Sequence, residues 1–249
     1  MMLRTSFNVI PLGREDFDIR ELNALPVFLD TLNIKKSDVV INCAGILNKR
    51  MEERGIRETI IVNSLFPHFV SKYCNEHGAE IIHVSTDFVF SGKRGSYAES
   101  DEVDAQDGYG ITKFIGEPER ATIIRTSFIG EETGQKRSLL EWVRSQQGII
   151  QGYADYRWNG VTCLTLAEIF REIVEKKMFW KGVRHIHSPR RVSKYQLLKY
   201  INVAYKLGLT VEPYNAGFCD RSLSSNYKDV FAVPDIKKQI TDMKNAAIE

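Results

Sequence analysis

A tyrosine and a lysine four residues apart could act together on a proton. They are Tyr109 and Lys113, and they follow an Asp/Gly-rich stretch. On a helix this spacing places both side chains on one face. A free tyrosine loses its proton near pH ~10, so it handles protons at neutral pH only when a nearby positive charge favours the phenolate. Lys113 is predicted to supply that charge, although the pair also fits an ordinary solvated helix face.

Two hydroxyl side chains follow a predicted buried strand. The short apolar run Glu80-Ile81-Ile82-His83 is typical of a strand covered on both faces, and Ser85 and Thr86 come just after it. In open parallel sheets, ligands bind outside the carboxyl ends of the strands. Ser85 and Thr86 are therefore predicted to hold a substrate. The alternative is that they cap the next turn, as Ser and Thr commonly do.

The composition indicates one globular protein whose charge does not favour binding to a polyanion. The chain has 249 residues, of which 43% are hydrophobic and 27% charged, and its net charge is +2. This near-neutral balance argues against nucleic acid or an anionic membrane as partners. Four widely spaced cysteines are interpreted as reduced thiols, so a cytoplasmic location is expected. His185 and His187 alternate as on a strand, and we predict no metal site.

Strand-like and helix-like segments alternate along the chain, which predicts an α/β fold with a parallel sheet. The predicted strands are 7–12, 38–43, 80–84 and 121–125, and the predicted helices include 21–32, 57–76, 108–117 and 136–147. Pro67 should kink or break the second helix. Thr165 and Ser193, each followed three residues later by Glu or Gln, resemble helix caps. After about Gly130 the pattern becomes irregular and helix-rich.

Five segments of the chain form an ordered set: Val40-Ile41-Asn42-Cys43-Ala44-Gly45, Asn63-Ser64, Ser85-Thr86-Asp87-Phe88-Val89-Phe90, Tyr109-Gly110-x-x-Lys113 through Gly116-Glu117, and Arg125-Thr126-Ser127. Together they resemble the extended short-chain dehydrogenase/reductases, and most closely the dTDP-4-dehydrorhamnose reductase branch, whose family order they follow over more than half of the chain. The resemblance implies a Rossmann-like, doubly wound parallel sheet. It also implies a cofactor domain over residues 1–130 and a small, helix-rich substrate lobe, mainly residues 131–249, interleaved with it.

The N-terminus departs from the family pattern. Family members open with a strand and a Gly-x-x-Gly-x-x-Gly turn that lets backbone amides approach the cofactor pyrophosphate. Here Met1-Met2-Leu3-Arg4-Thr5 resembles the end of the family's first helix, and Phe7 to Leu12 resembles its second strand. The missing first strand is central in the family sheet, so a gap is expected there. A sequence that begins too late is favoured over a protein that has given up ordinary cofactor binding.

The resemblance implies NADP(H) as the cofactor, with NAD(H) as the alternative. Arg14 stands where an arginine accommodates the extra phosphate of NADP, although the neighbouring Glu15 and Asp16 weaken that signal. Asp18 and Ile19 resemble the pair that flanks the adenine ring. The remaining predicted cofactor-binding residues are Cys43, Ala44, Gly45, Ser85, Tyr109, Lys113 and Thr126.

The function implied by the resemblance is reduction of the 4-keto group of a nucleotide-linked 4-keto-6-deoxyhexose. Tyr109 would donate the proton, Lys113 would lower the tyrosine pKa and hold the nicotinamide ribose, and Thr86 would bind the carbonyl oxygen. The predicted substrate-binding residues are Thr86, Asp87, Phe88, Trp158, Asn159 and Arg221.

Two other functions stay open at this point. One is a non-catalytic sugar-nucleotide or partner-binding protein, resembling the regulatory beta subunit of methionine adenosyltransferase. The other is a sugar-nucleotide epimerase or dehydratase, for which Asp87 is not decisive. The expected partner is a nucleotide-sugar substrate, with a homodimer as an open alternative.

Overall fold

The structure, a computed structural model, describes Leu3 and residues 7–132, 138–227 and 230–246. The described residues fall into two compact units. The first lies within Met1–Phe90, Glu102–Arg125 and Glu172–Arg184, and the second within Ser91–Asp101, Thr126–Arg171 and His185–Glu249. The chain therefore passes between the units several times. The domain boundary predicted near residue 130 lies close to one of these crossings.

The first unit contains a four-stranded sheet in the order β1-β2-β3-β8. Its strands are Val39–Asn42, Glu80–Thr86, Thr122–Thr126 and Gly182–His185. Strand β1 pairs in parallel with β2, with Val39 opposite Glu80. All of β3 and all of β2 except Glu80 are buried, because their runs of isoleucine and small residues can be covered on both faces. Three of the four predicted strands are thus confirmed to within two residues.

Four helices of the first unit precede or connect the first three strands of this sheet. They are α1 (Leu25–Thr31), α2 (Asn48–Ile60), α3 (Phe66–Glu76) and α4 (Gly108–Ile115). The apolar faces of α1 and α3 pack with β2 and β3 in one core, formed by Leu25, Leu29, Val70, Cys74, Ala79, Ile81, Ala121 and Ile123. Each predicted helix in this unit is present, with shorter or divided bounds.

The long helix predicted over residues 57–76 is divided by a π-helical segment. This segment covers Ile61–Leu65, between α2 and α3, and Pro67 lies in the first turn of α3. Proline has no backbone N–H, so it is tolerated in a first turn but interrupts helical hydrogen bonding further inside. The predicted break is confirmed. The π segment carries Asn63 and Ser64, and π-bulges of this kind are frequent at functional sites.

The prediction of a strand at Phe7 to Leu12 is wrong. These residues form no strand, and Ile10 and Leu12 are largely exposed, at 63% and 50%. A strand needs a neighbour for its ladder hydrogen bonds, and the described residues provide none for this segment. The expected gap inside the sheet is therefore also wrong: within the described chain, β1 is an edge strand of a continuous sheet. The resemblance drawn for Met1 to Thr5 falls almost wholly outside the described residues.

The second unit combines helices with short strands around a separate core. Its strands are β4 (Phe128–Ile129), β5 (Ile149–Tyr153), β6 (Tyr156–Trp158), β7 (Val161–Thr162), β9 (Val192–Ser193), β10 (Thr210–Tyr214) and β11 (Cys219–Asp220). They form small sheets that pair β5 with β10, β6 with β9 and β11, and β4 with β7. Its helices include α5 (Leu139–Arg144), α7 (Lys194–Tyr205) and α8 (Ile236–Ala246). The helix predicted over residues 136–147 is observed as α5, and residues 136 and 137 lie outside the described chain.

One of the two predicted helix caps is confirmed. Ser193 and Gln196 form a reciprocal capping box at the start of α7. Thr165 does not cap a helix, since it lies inside α6 (Cys163–Glu175), where its N–H donates to the Thr162 hydroxyl. Across the ranges described above, every helix is too short or too polar to cross a membrane.

Candidate active site

Helix α4 is fixed at its start by a side-chain cap and by close backbone contact. The Asp107 carboxylate accepts a hydrogen bond from the Gly110 N–H at 2.8 Å, which satisfies a free amide of the first turn. A Cβ on Gly110 would lie 2.1 Å from the Phe88 carbonyl oxygen, so only glycine allows this approach. The turn after β2 and the first turn of α4 therefore meet, which places Tyr109 beside Thr86.

The Thr86 hydroxyl lies beside the phenol of Tyr109. The Tyr109 ring also meets the Phe88 ring edge-on, with the ring centres 5.5 Å apart. Burial raises the pKa of Tyr109 to about 12; the Thr86 hydroxyl opposes this rise, and the carboxylates of Asp87 and Asp107 add to it. This differs from the expectation that Lys113 lowers the tyrosine pKa. The reason is that burial of the phenol outweighs any favourable charge in the chain alone.

Lys113 is a buried ammonium one helical turn beyond Tyr109. Its Nζ donates a hydrogen bond of 2.8 Å to the Val84 carbonyl oxygen of β2. Burial lowers the pKa of Lys113 to about 8, while the carboxylate of Glu117 and the Cys43 thiol act in the opposite direction. The predicted stacking of Tyr109 and Lys113 on one helix face is thus realised, with both side chains directed at the carboxyl end of β2.

The loop after β1 is held in place by two buried asparagines. Asn42 Oδ1 accepts a bond from the Ala44 N–H at 3.0 Å, and Asn63 forms two bonds with the backbone of Ile46. Asn63 belongs to the π segment and also donates to the Thr112 hydroxyl of α4. The loop, the π segment and α4 are consequently connected through one side chain.

This loop has the chemistry to receive part of a nucleotide cofactor. Cys43 and Gly45 are exposed, and a Cβ on Gly45 would lie 4.0 Å from Lys113 Nζ. Small residues here leave the backbone open next to a buried ammonium, which is the combination that a ribose or phosphate group requires. The residues of this loop therefore fit the ribose or phosphate part of such a cofactor.

Arg14 and Asp18 lie together in the N-terminal segment. The Arg14 side chain is 55% exposed and contacts the Asp18 carboxylate at 3.6 Å. Asp18 is occupied by Arg20, which binds both of its oxygens and also pairs with Glu58 at 3.0 Å. The hydrogen bonds from Arg20 hold the pKa of Asp18 well below its usual range. Arg14 is thus the more accessible guanidinium, whereas Arg20 has a structural partner.

The side chains of Ser85 and Asp87 form hydrogen bonds with other side chains of the protein. The Ser85 hydroxyl donates to Glu117 Oε1 at 2.6 Å, and Glu117 in turn forms a two-point ion pair with Arg125. Asp87 is buried and accepts a bond of 3.2 Å from the Thr86 hydroxyl. Of the two predicted strand-end hydroxyls, Thr86 is therefore the one that meets Tyr109.

Three predicted substrate residues belong to the second unit. Trp158 is buried in its core and donates from Nε1 to the Ser127 hydroxyl at 2.8 Å. Asn159 is buried and bonds both backbone groups of Leu223. Arg221 is half-buried, with Nη1 3.4 Å from Cys219 Sγ. Of the predicted cofactor-binding residues, Ile19 lies in the first unit and Thr126 ends β3. The binding roles of Ile19, Thr126 and these three substrate residues stay predictions.

Sequence reasoning assigned no role to four residues that organise the site. Asn63, Glu117 and Arg125 occurred in the segments that carry the family resemblance, but their contacts join separate elements, which the local pattern does not show. Glu117 does carry a signal, because it continues the Tyr109, Lys113 spacing by another four residues. Arg20 gave no comparable signal, since its contact with Glu58 spans 38 residues.

The chain is similar to a known protein family and to several reductases. The family described as "RmlD substrate binding domain" matches residues 2–217. A dTDP-4-keto-6-deoxy-D-glucose reductase of Streptomyces niveus is 27% identical over 77% of this chain and 68% of its own length. A dTDP-4-dehydrorhamnose reductase of Mycobacterium tuberculosis is 35% identical over 39% of this chain, and the match spans about a third of that protein, 35%.

Solved structures show the same fold. A dTDP-4-dehydrorhamnose reductase from Bacillus anthracis, solved in complex with NADP, superimposes with a TM-score of 0.82 at 17% identity, covering 98% of this chain and 94% of the other. A dTDP-4-dehydrorhamnose reductase from Clostridium acetobutylicum gives a TM-score of 0.81 at 21% identity, covering 98% and 92%. The α/β, Rossmann-like fold is thereby confirmed. With its family match extending over most of its length, the chain belongs to the RmlD substrate binding domain family.

Proposed function

We propose that this chain is an NADPH-dependent reductase of the 4-keto group of a nucleotide-linked 4-keto-6-deoxyhexose. The observation that carries the proposal is the Thr86–Tyr109 hydroxyl pair next to the buried ammonium of Lys113. Relatives named as reductases of dTDP-linked keto sugars support the substrate class. The fold neighbour solved with NADP supports the cofactor class, with NAD as the alternative.

In the proposed reaction, Tyr109 acts as a general acid. NADPH held by Lys113 and the loop after β1 would supply the hydride for the carbonyl carbon. As the carbonyl oxygen gains negative charge, Tyr109 Oη donates its proton to that oxygen, which yields the alcohol and leaves a phenolate that solvent reprotonates. A phenol with a pKa of about 12 is fully protonated at neutral pH, as a proton donor must be. Thr86 orients the carbonyl oxygen towards Tyr109.

Lys113 and the loop after β1 hold the cofactor in this proposal. The Lys113 ammonium has donors left after its bond with Val84, and these suit ribose hydroxyls beside Cys43, Ala44 and Gly45. Arg14, with its exposed guanidinium, pairs with the extra phosphate of NADPH.

The test is the consumption of NADPH in the presence of a dTDP-linked 4-keto-6-deoxyhexose. We expect turnover by the wild-type chain and a loss of roughly 10²- to 10⁴-fold in Tyr109→Phe, because the general acid is removed. NADPH affinity, followed by nicotinamide fluorescence, should change little. Tyr73→Phe is the matched control, since the Tyr73 hydroxyl donates to the Asp30 carboxylate in an exposed contact and neither residue has a role in the proposed reaction.

Near-normal turnover by Tyr109→Phe would contradict the mechanism. Nucleotide-sugar binding by the wild-type chain without NADPH consumption would instead favour the binding-protein alternative. Formation of an elimination or epimerisation product, identified by mass spectrometry and NMR, would favour the dehydratase or epimerase alternative.

A further inference from the structure

We infer that Glu117 and Arg125 form a positioning clamp that sets where helix α4 lies along strand β2, and thereby where Tyr109 and Lys113 meet Thr86. The inference deepens the proposed function and rests on it. Neither residue is proposed to touch substrate or cofactor. Each acts through the side chains that it holds.

The clamp is a fully formed ion pair in the interior of the first unit. Arg125 Nε donates to Glu117 Oε1 at 2.8 Å, and Arg125 Nη2 donates to Glu117 Oε2 at 2.7 Å. Both side chains are only 5% exposed. Two parallel bonds fix the orientation of both groups as well as their distance. Because removing two charges from water is costly, a buried pair is a poor source of stability, which points to a geometric role.

Helix α4 and the residues just after it contact three consecutive residues of β2. Tyr109 lies beside the Thr86 hydroxyl, Lys113 Nζ donates to the Val84 carbonyl oxygen, and Glu117 accepts a bond of 2.6 Å from the Ser85 hydroxyl. Tyr109 and Lys113 are four residues apart on one face of α4, and Glu117 follows just after the helix ends at Ile115. Glu117 is also tied to strand β3, through its ion pair with Arg125. The ion pair thus fixes the far end of the contact series that begins at Tyr109.

Aromatic rings hold the guanidinium from other directions. The Arg125 guanidinium lies 5.6 Å from the centre of the Phe90 ring and 6.0 Å from that of Phe114. Phe90 directly follows the turn Asp87–Val89 after β2, and Phe114 lies on α4. Arg125 therefore contacts the three pieces of chain around Thr86 and Lys113. Hydride transfer depends on such placement, because a misplacement of about 1 Å can cost roughly 10²-fold in rate.

Glu117 also provides a measurable electrostatic connection to the site. Its carboxylate raises the pKa of Lys113 against the larger effect of burial. Loss of this negative charge should therefore lower the Lys113 pKa below its present value of about 8. This signal needs neither cofactor nor substrate.

The first variant is Glu117→Gln, which keeps the shape but removes the charge. We expect kcat to fall roughly 10- to 100-fold, with a smaller change in the NADPH dissociation constant, because the reacting groups shift while the cofactor loop is intact. Lysine NMR should show the Lys113 pKa lowered. Glu80→Gln is the matched control: Glu80 pairs with Lys181 at the opposite end of the same strand, and its loss should leave kcat unchanged.

The second variant separates the effect of the ion pair on the placement of α4 from its effect on the stability of the chain. Glu117→Leu combined with Arg125→Met replaces the pair by apolar groups of similar size, which is often neutral or stabilising for folding. We expect a thermal midpoint higher than that of Glu117→Gln, but a kcat as low or lower, because Ser85 and the end of α4 lose their anchor. Recovery of kcat together with stability in the double variant would overturn the inference.

The inference and the proposed function fail in different ways. If the wild-type chain does not consume NADPH with any tested keto sugar, the proposed function fails, whatever the variants do. If the wild-type chain is active but Glu117→Gln retains its kcat and its Lys113 pKa, the clamp is disproved and the proposed function stands.

Discussion

Lys113 shows how a single side chain is tuned by its surroundings. It is buried, its Nζ bonds a backbone carbonyl, and burial lowers its pKa to about 8. Tyr109 next to it is shifted the other way, to about 12, also by burial. Burial disfavours the charged form of each group, so it pushes the ammonium and the phenol towards neutrality. At neutral pH the phenol is thus a proton donor, and the lysine is close to its own titration.

The pH profile of the proposed reduction should reflect Lys113. We expect kcat/KM with NADPH to fall as pH rises through about 8, because Lys113 loses the charge that is proposed to hold the cofactor. Tyr109 itself stays protonated over this range. The measurement is a rate profile from pH 6 to about 10. A Lys113→Met variant should be slow, and its kcat/KM should not fall as pH rises through about 8. The same fall in that variant would show that Lys113 is not the group that titrates.

The same shift makes a prediction about stability. The folded-state pKa of Lys113, about 8, lies below its ordinary value of 10.5, so the folded chain binds fewer protons between these values. Its burial penalty is therefore fully present below pH 8 and is relieved as pH rises towards 10.5. The full gap corresponds to roughly 3 kcal/mol. Denaturant titrations should show that the free energy of unfolding depends differently on pH in the wild-type chain and in Lys113→Met between pH 8 and 10.5. The same pH dependence in both would contradict the lowered pKa of Lys113.

Arg14 should determine the preference for NADPH over NADH. Its guanidinium is more than half exposed, whereas the neighbouring Arg20 is held by Asp18 and Glu58. In Arg14→Ala we expect the ratio of kcat/KM for NADPH to that for NADH to fall by roughly tenfold or more, the value of a lost charged hydrogen bond. Arg120→Ala is the control, because Arg120 is exposed and lies just before β3, at the opposite end of that strand from Thr126. An equal ratio in both variants would refute the role.

At the scale of elements, two glycines let α4 approach its neighbours. Gly110 lies against the Phe88 carbonyl at the start of the helix, and Gly116 lies against the π segment at its end. A Cβ on Gly116 would lie 1.8 Å from the Asn63 carbonyl oxygen. The Ser64 hydroxyl closes the same contact by donating to the Thr112 carbonyl at 2.7 Å. The position of the helix is thus set by backbone contacts at both ends.

Gly116→Ala should destabilise the first unit. The added methyl group meets backbone atoms that cannot turn aside, so the helix or the π segment must shift, at a cost of about 1–3 kcal/mol. Chemical denaturation measures this change. The control is Gly45→Ala, where the new Cβ has its nearest contact at 3.6 Å and so needs no rearrangement. Equal unfolding free energies for the two variants would contradict the packing argument.

At the scale of the whole molecule, protection from hydrogen exchange should follow the burial of the strands. All of β3 and nearly all of β2 are buried, whereas residues 8–16 are mostly exposed and lack regular structure. We expect amides of β2 and β3 to exchange at least roughly a thousandfold more slowly than those of the N-terminal segment. Exchange followed by mass spectrometry tests this, and similar rates in the two regions would disagree with the described fold.

Much of this molecule could be predicted from local patterns. The isoleucine-rich run before Ser85 identified β2, and the spacing of Tyr109 and Lys113 predicted two side chains on one helix face. The ordered family segments identified the reductase-like fold. These features succeed because strand burial and helix periodicity are set by residues close together in sequence. The strand predicted at Phe7 to Leu12 failed because a strand also requires a neighbour, which the local pattern cannot show.

The sequence by itself thus determined the fold class, the helix that carries Tyr109 and Lys113, and the strand end that carries Thr86. Only the tertiary structure decided which hydroxyl meets the tyrosine, since Ser85 is held by Glu117 instead. It also decided the pKa shifts of Tyr109 and Lys113 and the ion pair of Glu117 with Arg125. These properties depend on burial and on distances between separate elements, and neither quantity is contained in the spacing of residues along a chain.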